Sequence, residues 1–298
     1  MKILDEILEG LMKRYSKRVP EVNQVTQALI GKDVVKSQNE ISNDHIAFRT
    51  MGVRQLGIQS FEKIFLHHGY APKDDFFFQG KRLNARWYAP PKPKYPRIFI
   101  SELIVGDMPK EIQDIIYSYV DEVDTDPVKK LDLDNATQVD EFLHRPLWRL
   151  PSWYDFSQLQ RVSEYAAWVI YNRYYLNHYT ISVHNLKKGY NTIIEFNKFL
   201  ESIGVVLNDS GGKIKVSKDQ LLLQSSTVSS MVEAEFNEGI KKMIPGSYVE
   251  FCERKVLPQF KNINAEQIQR KHRRDGFETG NADKIFESTY LDQTKKRK

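Results

Sequence analysis

Asp44-His45-Ile46-Ala47-Phe48-Arg49-Thr50-Met51 reads as a β-strand with two unlike faces. Side chains alternate with period two, so His45, Ala47, Arg49 and Met51 share one face and Ile46, Phe48 and Thr50 the other. The same division recurs in Asn177-His178-Tyr179-Thr180-Ile181-Ser182-Val183. There His178, Thr180, Ser182 and His184 lie opposite Tyr179, Ile181 and Val183. In both stretches the bulky apolar residues point one way. The other face carries His, Thr, Ser and Arg but no Lys or Glu, which is not the dress of a plain solvent surface.

The chain beyond each strand is also similar. After the first, Ile58, Phe61, Ile64 and Phe65 mark a helix over 58–68, stopped by Gly69. Strands are expected at Asp75–Gln79, Leu83–Ala89 and Arg97–Ile104, with Pro90–Pro96 as a turn. The unit is β-α-β-β-β. After the second, Tyr190–Ile203 reads as a helix stopped by Gly204. Strand candidates come next at Val205–Leu207, Lys213–Ser217, Leu221–Val228 and Ser247–Arg254, with Asp209-Ser210-Gly211-Gly212 as a turn. Met231–Ile240 is ambiguous. The two units agree in element order, not in residue identity.

Outside them the spacing is helical. Ile3, Leu4, Ile7, Leu8, Leu11, Met12 and Tyr15 form one stripe, and a second helix runs from Pro20 to about Ile30. Pro109–Val123, Val139–Leu143 and Phe156–Tyr175 also read as helices. No Gly/Ser linker interrupts the chain. The expected fold is α+β, a single two-module domain whose curved sheet surrounds one cleft. Its parts are N-terminal helices (1–40), a first module (41–106), a helical insertion (107–175), a second module (176–256) and a C-terminal segment (257–298). Residues 265–290 should pack on the outside or close the cleft.

Composition narrows the class. The 298 residues are 41% apolar and 12% aromatic, which excludes a disordered chain. One cysteine, Cys252, excludes an intramolecular disulfide framework and a cysteine-based zinc cluster; it reads as a small buried residue, not a nucleophile. No run approaches the ~20 apolar residues of a membrane span. The acidic start, Met1-Lys2-Ile3-Leu4-Asp5-Glu6, is unlike a signal peptide, so a cytoplasmic location is expected. The 44 bases exceed the 39 acids by only five. Much of the surplus lies in Lys295–Lys298, expected to be a solvated tail, and in Arg270–Arg274, expected to be the exposed face of a short helix. That balance suits a small anionic substrate, with no nucleic acid or membrane partner. No phosphate loop, dinucleotide fingerprint or nucleophile elbow is present.

The last strand of the second module, Ser247–Arg254, places Tyr248, Glu250, Cys252 and Arg254 on one face. A carboxylate among such neighbours needs a cation, a metal or several donors. His45, His178 and Glu250 together would form a two-His-one-carboxylate metal set that leaves adjacent coordination positions open. Arg49 shares the face of His45, and its guanidinium could grip a substrate carboxylate. Bland readings stand beside these. Each histidine could be a satisfied core residue, Glu250 could pair with Arg254 or Arg49, and Arg49 could pair with Glu102 or Glu250. Glu102, in Ile98-Phe99-Ile100-Ser101-Glu102-Leu103, is the counterpart of Glu250 by position in its module. It is the alternative ligand, or a partner to a ligating histidine. His184 and Arg254 could orient ligands or clamp substrate, while His67 and His68 suit a helix end. A metal-dependent hydrolase or isomerase, or a metabolite-binding protein without activity, fits these residues too.

The three segments Asp44-His45-Ile46-Ala47-Phe48-Arg49-Thr50, Asn177-His178-Tyr179-Thr180 and Tyr248-Val249-Glu250-Phe251 resemble the metal-site motifs of the 2-oxoadipate dioxygenase/decarboxylase family. The resemblance covers roughly residues 20–290 and suggests a short-chain branch. It implies a fold related to the vicinal-oxygen-chelate superfamily and a mononuclear iron(II) centre. By it, His45, His178 and Glu250 would be the Fe(2+) ligands, and His45 and Arg49 would meet the substrate. It also implies the family reaction, 2-oxoadipate and O2 to 2-hydroxyglutarate and CO2, a step of lysine breakdown. Gly280-Asn281-Ala282-Asp283-Lys284-Ile285-Phe286-Glu287-Ser288 is the counterpart of a family segment that touches substrate.

Overall fold

The computed structural model describes residues 1–297. Ten strands are present: β1 (Asn43–Met51), β2 (Ala71–Phe78), β3 (Leu83–Ala89), β4 (Arg97–Leu103), β5 (His178–Ser182), β6 (Lys215–Val216), β7 (Leu222–Ser226), β8 (Met231–Glu235), β9 (Lys241–Pro245) and β10 (Tyr248–Arg254). The helices are α1 (Lys2–Arg18), α2 (Pro20–Gly31), α3 (Ile58–His67), α4 (Lys110–Val120), α5 (Ala136–His144), α6 (Trp153–Val162), α7 (Glu164–Asn172), α8 (Ile193–Ser202), α9 (Thr279–Phe286) and the single turn α10 (Leu291–Thr294).

Eight strands form one sheet in the order β2-β3-β4-β1-β5-β10-β7-β6. Its centre explains the fold. β1 runs parallel to β4, β5 runs parallel to β10, and β1 and β5 pair antiparallel. Each module therefore contributes four strands in mirrored order, joined along the two strands that carry His45 and His178. All of β5, and all of β1 beyond Asn43, is buried, as period-two strands covered on both faces must be.

The modules also share a helix ending. Gly69 after α3 and Gly204 after α8 take positive φ, 85° and 81°. A side chain would be strained there. The turn lets the next residue's N–H reach back into the helix: Tyr70 N to Phe65 O at 3.1 Å, Val205 N to Leu200 O at 3.0 Å.

Three sequence expectations need correction, and the structure also assigns the ambiguous Met231–Ile240. The stretch Phe156–Tyr175 is two helices, because Ser163 ends α6 in extended backbone and its hydroxyl accepts from Ala166 N at 3.1 Å, capping α7. Val205–Leu207 makes only an isolated bridge, Leu207 with Thr227. Met231–Ile240 begins a hairpin, β8-β9, inserted before the last strand of the second module. The basic termini are not simply solvated. Arg297 pairs with the buried Glu21 and donates to Ser230 Oγ at 2.8 Å; Lys298 of that tail lies outside the described residues. Arg270–His272 is one 3-10 turn, and Arg270, Arg273 and Arg274 are half-buried.

Candidate metal centre

The central pairing of β1 with β5 sets His45 and His178 close together, with ring centroids 5.4 Å apart. β10, on the other side of β5, brings Glu250 beside them. Glu250 Oε2 lies 3.4 Å from His45 Nε2 and 3.1 Å from His178 Nε2. One ligand atom from each of the three residues lies within 4.8 Å of the other two. Ligands about 2.1 Å from an ion at right angles sit about 3 Å apart, so these spacings suit adjacent corners of one coordination sphere.

Each candidate ligand is aimed by a neighbour. His45 Nδ1 donates to Asp44 Oδ1 at 2.9 Å, and His178 Nδ1 donates to Asn177 Oδ1 at 3.0 Å. Both rings therefore carry their proton on Nδ1 and turn the Nε2 lone pair toward the cluster. Gln224 Nε2 donates to Glu250 Oε1 at 2.6 Å, which leaves Oε2 to the imidazoles. Asn281 Nδ2 holds Gln224 Oε1 at 3.0 Å. Asp44 is itself gripped by Arg254, through Nε at 2.6 Å and an NH2 group at 2.9 Å, and by Arg97 at 2.9 Å.

The donor atoms fit a metal. His178 Nε2 is buried and has no hydrogen-bond partner, although Glu250 Oε2 is near: the two lone pairs meet without a proton placed between them. His45 Nε2 accepts from Thr180 Oγ1 at 3.0 Å, a bond the hydroxyl can give up by rotating. Two neutral nitrogens and one carboxylate are hard-to-borderline donors suited to a divalent first-row ion. Burial favours the neutral acid at Glu250, but the imidazoles outweigh it and hold its pKa far below the usual range. Burial also disfavours a charged His45, yet Glu250 and Asp44 overcome it and raise its pKa. For His178, with no acid of its own beside Nδ1, burial wins and the pKa falls.

Around the cluster lies a cavity of about 20 Å3, room for a water. Arg49 lines it, buried, donating to Thr289 Oγ1 and Phe286 O, each at 3.0 Å, with Nε unpaired. It pairs with neither Glu102 nor Glu250. Tyr248 also lines it, and its buried hydroxyl, beside Arg49 and Ser288, makes no hydrogen bond within 3.5 Å among the described residues. Phe277, Ala282, Ile285 and Phe286 from the C-terminal segment form the remaining wall with Phe99. The segment thus closes the cleft.

Other candidates lie elsewhere. Glu102 is neither a ligand nor a partner to one: its Oε2 accepts from Ile58 N at 2.7 Å, at the start of α3. The register gives the reason. His45 pairs with Arg97 and His178 with Tyr248, so the residue matching Glu250 is Phe99. The match to Glu102 is Glu253, which accepts from Ile193 N at 2.7 Å at the start of α8. His184 is not at the centre. β5 ends at Ser182, and His184 sits in a 3-10 turn beside Cys252 O, its pKa pressed by burial to about 4. Arg254 reaches the cluster only through Asp44. His67 bonds Asp134 at a helix end, and Cys252 is fully buried.

Sequence reasoning missed Asp44, Asn177, Gln224, Thr180 and Tyr248 as working parts. One signal was available: an acid or amide directly before each strand-opening histidine.

The chain is similar to known proteins along most of its length. The model of a family described as 2-oxoadipate dioxygenase/decarboxylase matches residues 7–267. A chloroplastic 2-oxoadipate dioxygenase/decarboxylase of Arabidopsis thaliana is 44% identical over 294 residues, 95% of this chain and 76% of that protein. The crystal structure of the hydroxyglutarate synthase from Oryza sativa, in complex with 2-oxoadipate, superposes with a TM-score of 0.87 at 41% identity, covering 97% of this chain and 92% of that one. A glyoxalase superfamily protein from Ralstonia eutropha JMP134, 18% identical, shares the fold with a TM-score of 0.71 over 92% of this chain and 85% of its own.

Proposed function

We propose that this chain, which belongs to the 2-oxoadipate dioxygenase/decarboxylase family, converts 2-oxoadipate and O2 to 2-hydroxyglutarate and CO2 on one ferrous ion. The observation that carries the reading is the convergence of His45 Nε2, His178 Nε2 and Glu250 Oε2, with the His178 nitrogen buried and unpaired. His45, His178 and Glu250 would hold the iron. Bound there, Fe(2+) would supply chelation of the 2-oxo acid and activation of dioxygen.

The chain's own groups supply the rest. Asp44 and Asn177 fix both imidazoles in the tautomer that can ligate. Gln224 turns one Glu250 oxygen away from the ion. Arg49 and Tyr248 face the same cavity with Nε and Oη unsatisfied, and they would receive the distal carboxylate of a diacid. The aromatic wall of Phe99, Phe277 and Phe286 excludes water from the reacting atoms. The named relatives favour this reading over a hydrolase, an isomerase or a protein that only binds a metabolite.

The test is oxygen uptake by iron-loaded protein. One O2 should be consumed for each 2-oxoadipate, with shorter and longer keto diacids slower. His178→Ala should hold no stoichiometric iron. Equal iron content in wild type and His178→Ala, or no uptake by iron-loaded wild type, would overturn the proposal.

A further inference from the structure

A second cleft lies behind the metal cluster, where β1 and β4 begin and β5 and β10 end. It encloses about 130 Å3, against about 20 Å3 in the metal cavity. Five cations line it: Lys94, Arg97, Arg254, Arg270 and Arg273. Asp44 is the one carboxylate in its lining among the described residues.

The charges do not cancel. Asp44 is spent on Arg97 and Arg254, Asp275 adds a second bond to Arg97, and Lys94 pairs with Asp5. Arg270 and Arg273 are left. Arg270 donates to the carbonyls of Pro93 and Tyr95 at 3.1 and 2.7 Å, and Arg273 to that of Arg254 at 2.7 Å. Neither has an ion-pair partner among the described residues. Carbonyls satisfy protons but carry no net charge; Glu253 attracts Arg273 from beyond ion-pair distance, and neither half-buried guanidinium has a bonded counter-ion among the described residues. Burial pushes the Arg270 pKa down to about 10, still far above neutrality, so it stays charged. His184, held neutral, adds polarity but no charge.

Two forked guanidiniums facing one enclosed space, with Ser42, Ser182 and Asn185 around them, are a receptor for a small oxyanion of charge near −2. We propose that this cleft binds a phosphate-type dianion, free or as the phosphoryl group of a metabolite, separately from the metal site. The two sites share a wall. Arg97 and Arg254 face the cleft, and through Asp44 they hold the ring of His45. An occupant would thus touch residues one step from a metal ligand.

The probe is inorganic phosphate, titrated calorimetrically at low ionic strength into anaerobic iron-loaded protein, with and without saturating 2-oxoadipate. One phosphate per chain should bind, with affinity unchanged by 2-oxoadipate. The double variant Arg270→Gln/Arg273→Gln should weaken it roughly tenfold or more. Asn185→Trp keeps every arginine and fills the rim from an exposed position, and it should weaken binding too; it serves if the double variant folds poorly. Competition by 2-oxoadipate would move the ion to the metal cavity and overturn the proposal. So would absence of saturable binding, or equal affinity in wild type and both variants. A phosphorylated metabolite that binds more tightly than phosphate, and loses that advantage in the double variant, would identify the phosphoryl source.

Discussion

Replacing Asp44 by Asn isolates the group that links the buried arginines to the metal site. Asp44 accepts four hydrogen bonds: at Oδ1 from His45 Nδ1 and Arg254, both 2.9 Å, and at Oδ2 from Arg254 Nε at 2.6 Å and Arg97 at 2.9 Å. An asparagine can keep the two at Oδ1. It sets an NH2 group against Arg254 Nε and Arg97, so two charge-assisted bonds are lost, each about 1.5–3 kcal/mol. Two guanidiniums then remain buried without their shared counter-ion, although Asp275 still holds Arg97. The expected loss is about 3–5 kcal/mol, the range for breaking a buried ion pair from one side. Urea unfolding of metal-free wild type and Asp44→Asn measures it. Metal affinity should fall about 10–100-fold in parallel, because the ring of His45 loses its anionic acceptor. Acid adds a second check. Burial alone would raise the Asp44 pKa, but Arg254 and Arg97 overcome it and set it well below the usual value. A depressed carboxylate stabilises above its unfolded pKa of about 3.9 and loses that contribution as pH falls further. The difference between wild type and variant should therefore be constant near neutrality and shrink only below about pH 4. A loss under about 1 kcal/mol with unchanged metal affinity would refute the linkage between arginines, Asp44 and His45.

Gln224→Leu strips Glu250 Oε1 of its donor, and competition titration should show metal affinity about 10–100-fold lower. Tyr248→Phe removes a hydroxyl that has no partner, so metal content should stay and stability should hold within about 1 kcal/mol, while KM for 2-oxoadipate rises. Arg49→Ala should likewise retain iron and mainly raise KM. Glu164, half-buried and capping Leu291 N at 2.6 Å, has its pKa raised by burial to about 7. Its stabilising contribution is complete below its unfolded value of about 4.3 and is lost as pH rises through 7. Glu164→Gln should therefore gain on wild type as pH rises and level off above neutrality, at about 1 kcal/mol after solvent screening. Unfolding midpoints at pH 5 and pH 8 test the sign.

The local rules of strands and helices carried much of the reading. Alternation placed His45, His178 and Glu250 on inward faces, and the glycines marked both module helices. What alternation cannot supply is register between strands. Glu102 and Glu250 look equivalent from their strands' sequences, yet hydrogen-bond pairing matches Glu102 to Glu253 and makes both acids helix starters. His184 was misplaced because the strand stops two residues earlier and the backbone turns. Ser163 was hidden inside a continuous apolar pattern until its cap bond showed the break. The unneutralised pair Arg270 and Arg273 could not be seen at all, since a charge run shows its bases but not where their acids went.

The two halves match in their histidines, in the polar residue before each, in the glycine that ends each helix and in the acid that starts it. At the metal cluster they part company where Glu250 stands in one half and the ring of Phe99 in the other. Had both halves kept an acid there, four donors would ring the ion and two negative charges would greet an already anionic guest. That difference between the halves thus gives up a tighter grip on the ion for an oily, uncharged wall in the same cavity. Phe99→Glu would restore the symmetry, giving a protein that sequesters metal more firmly and turns over less.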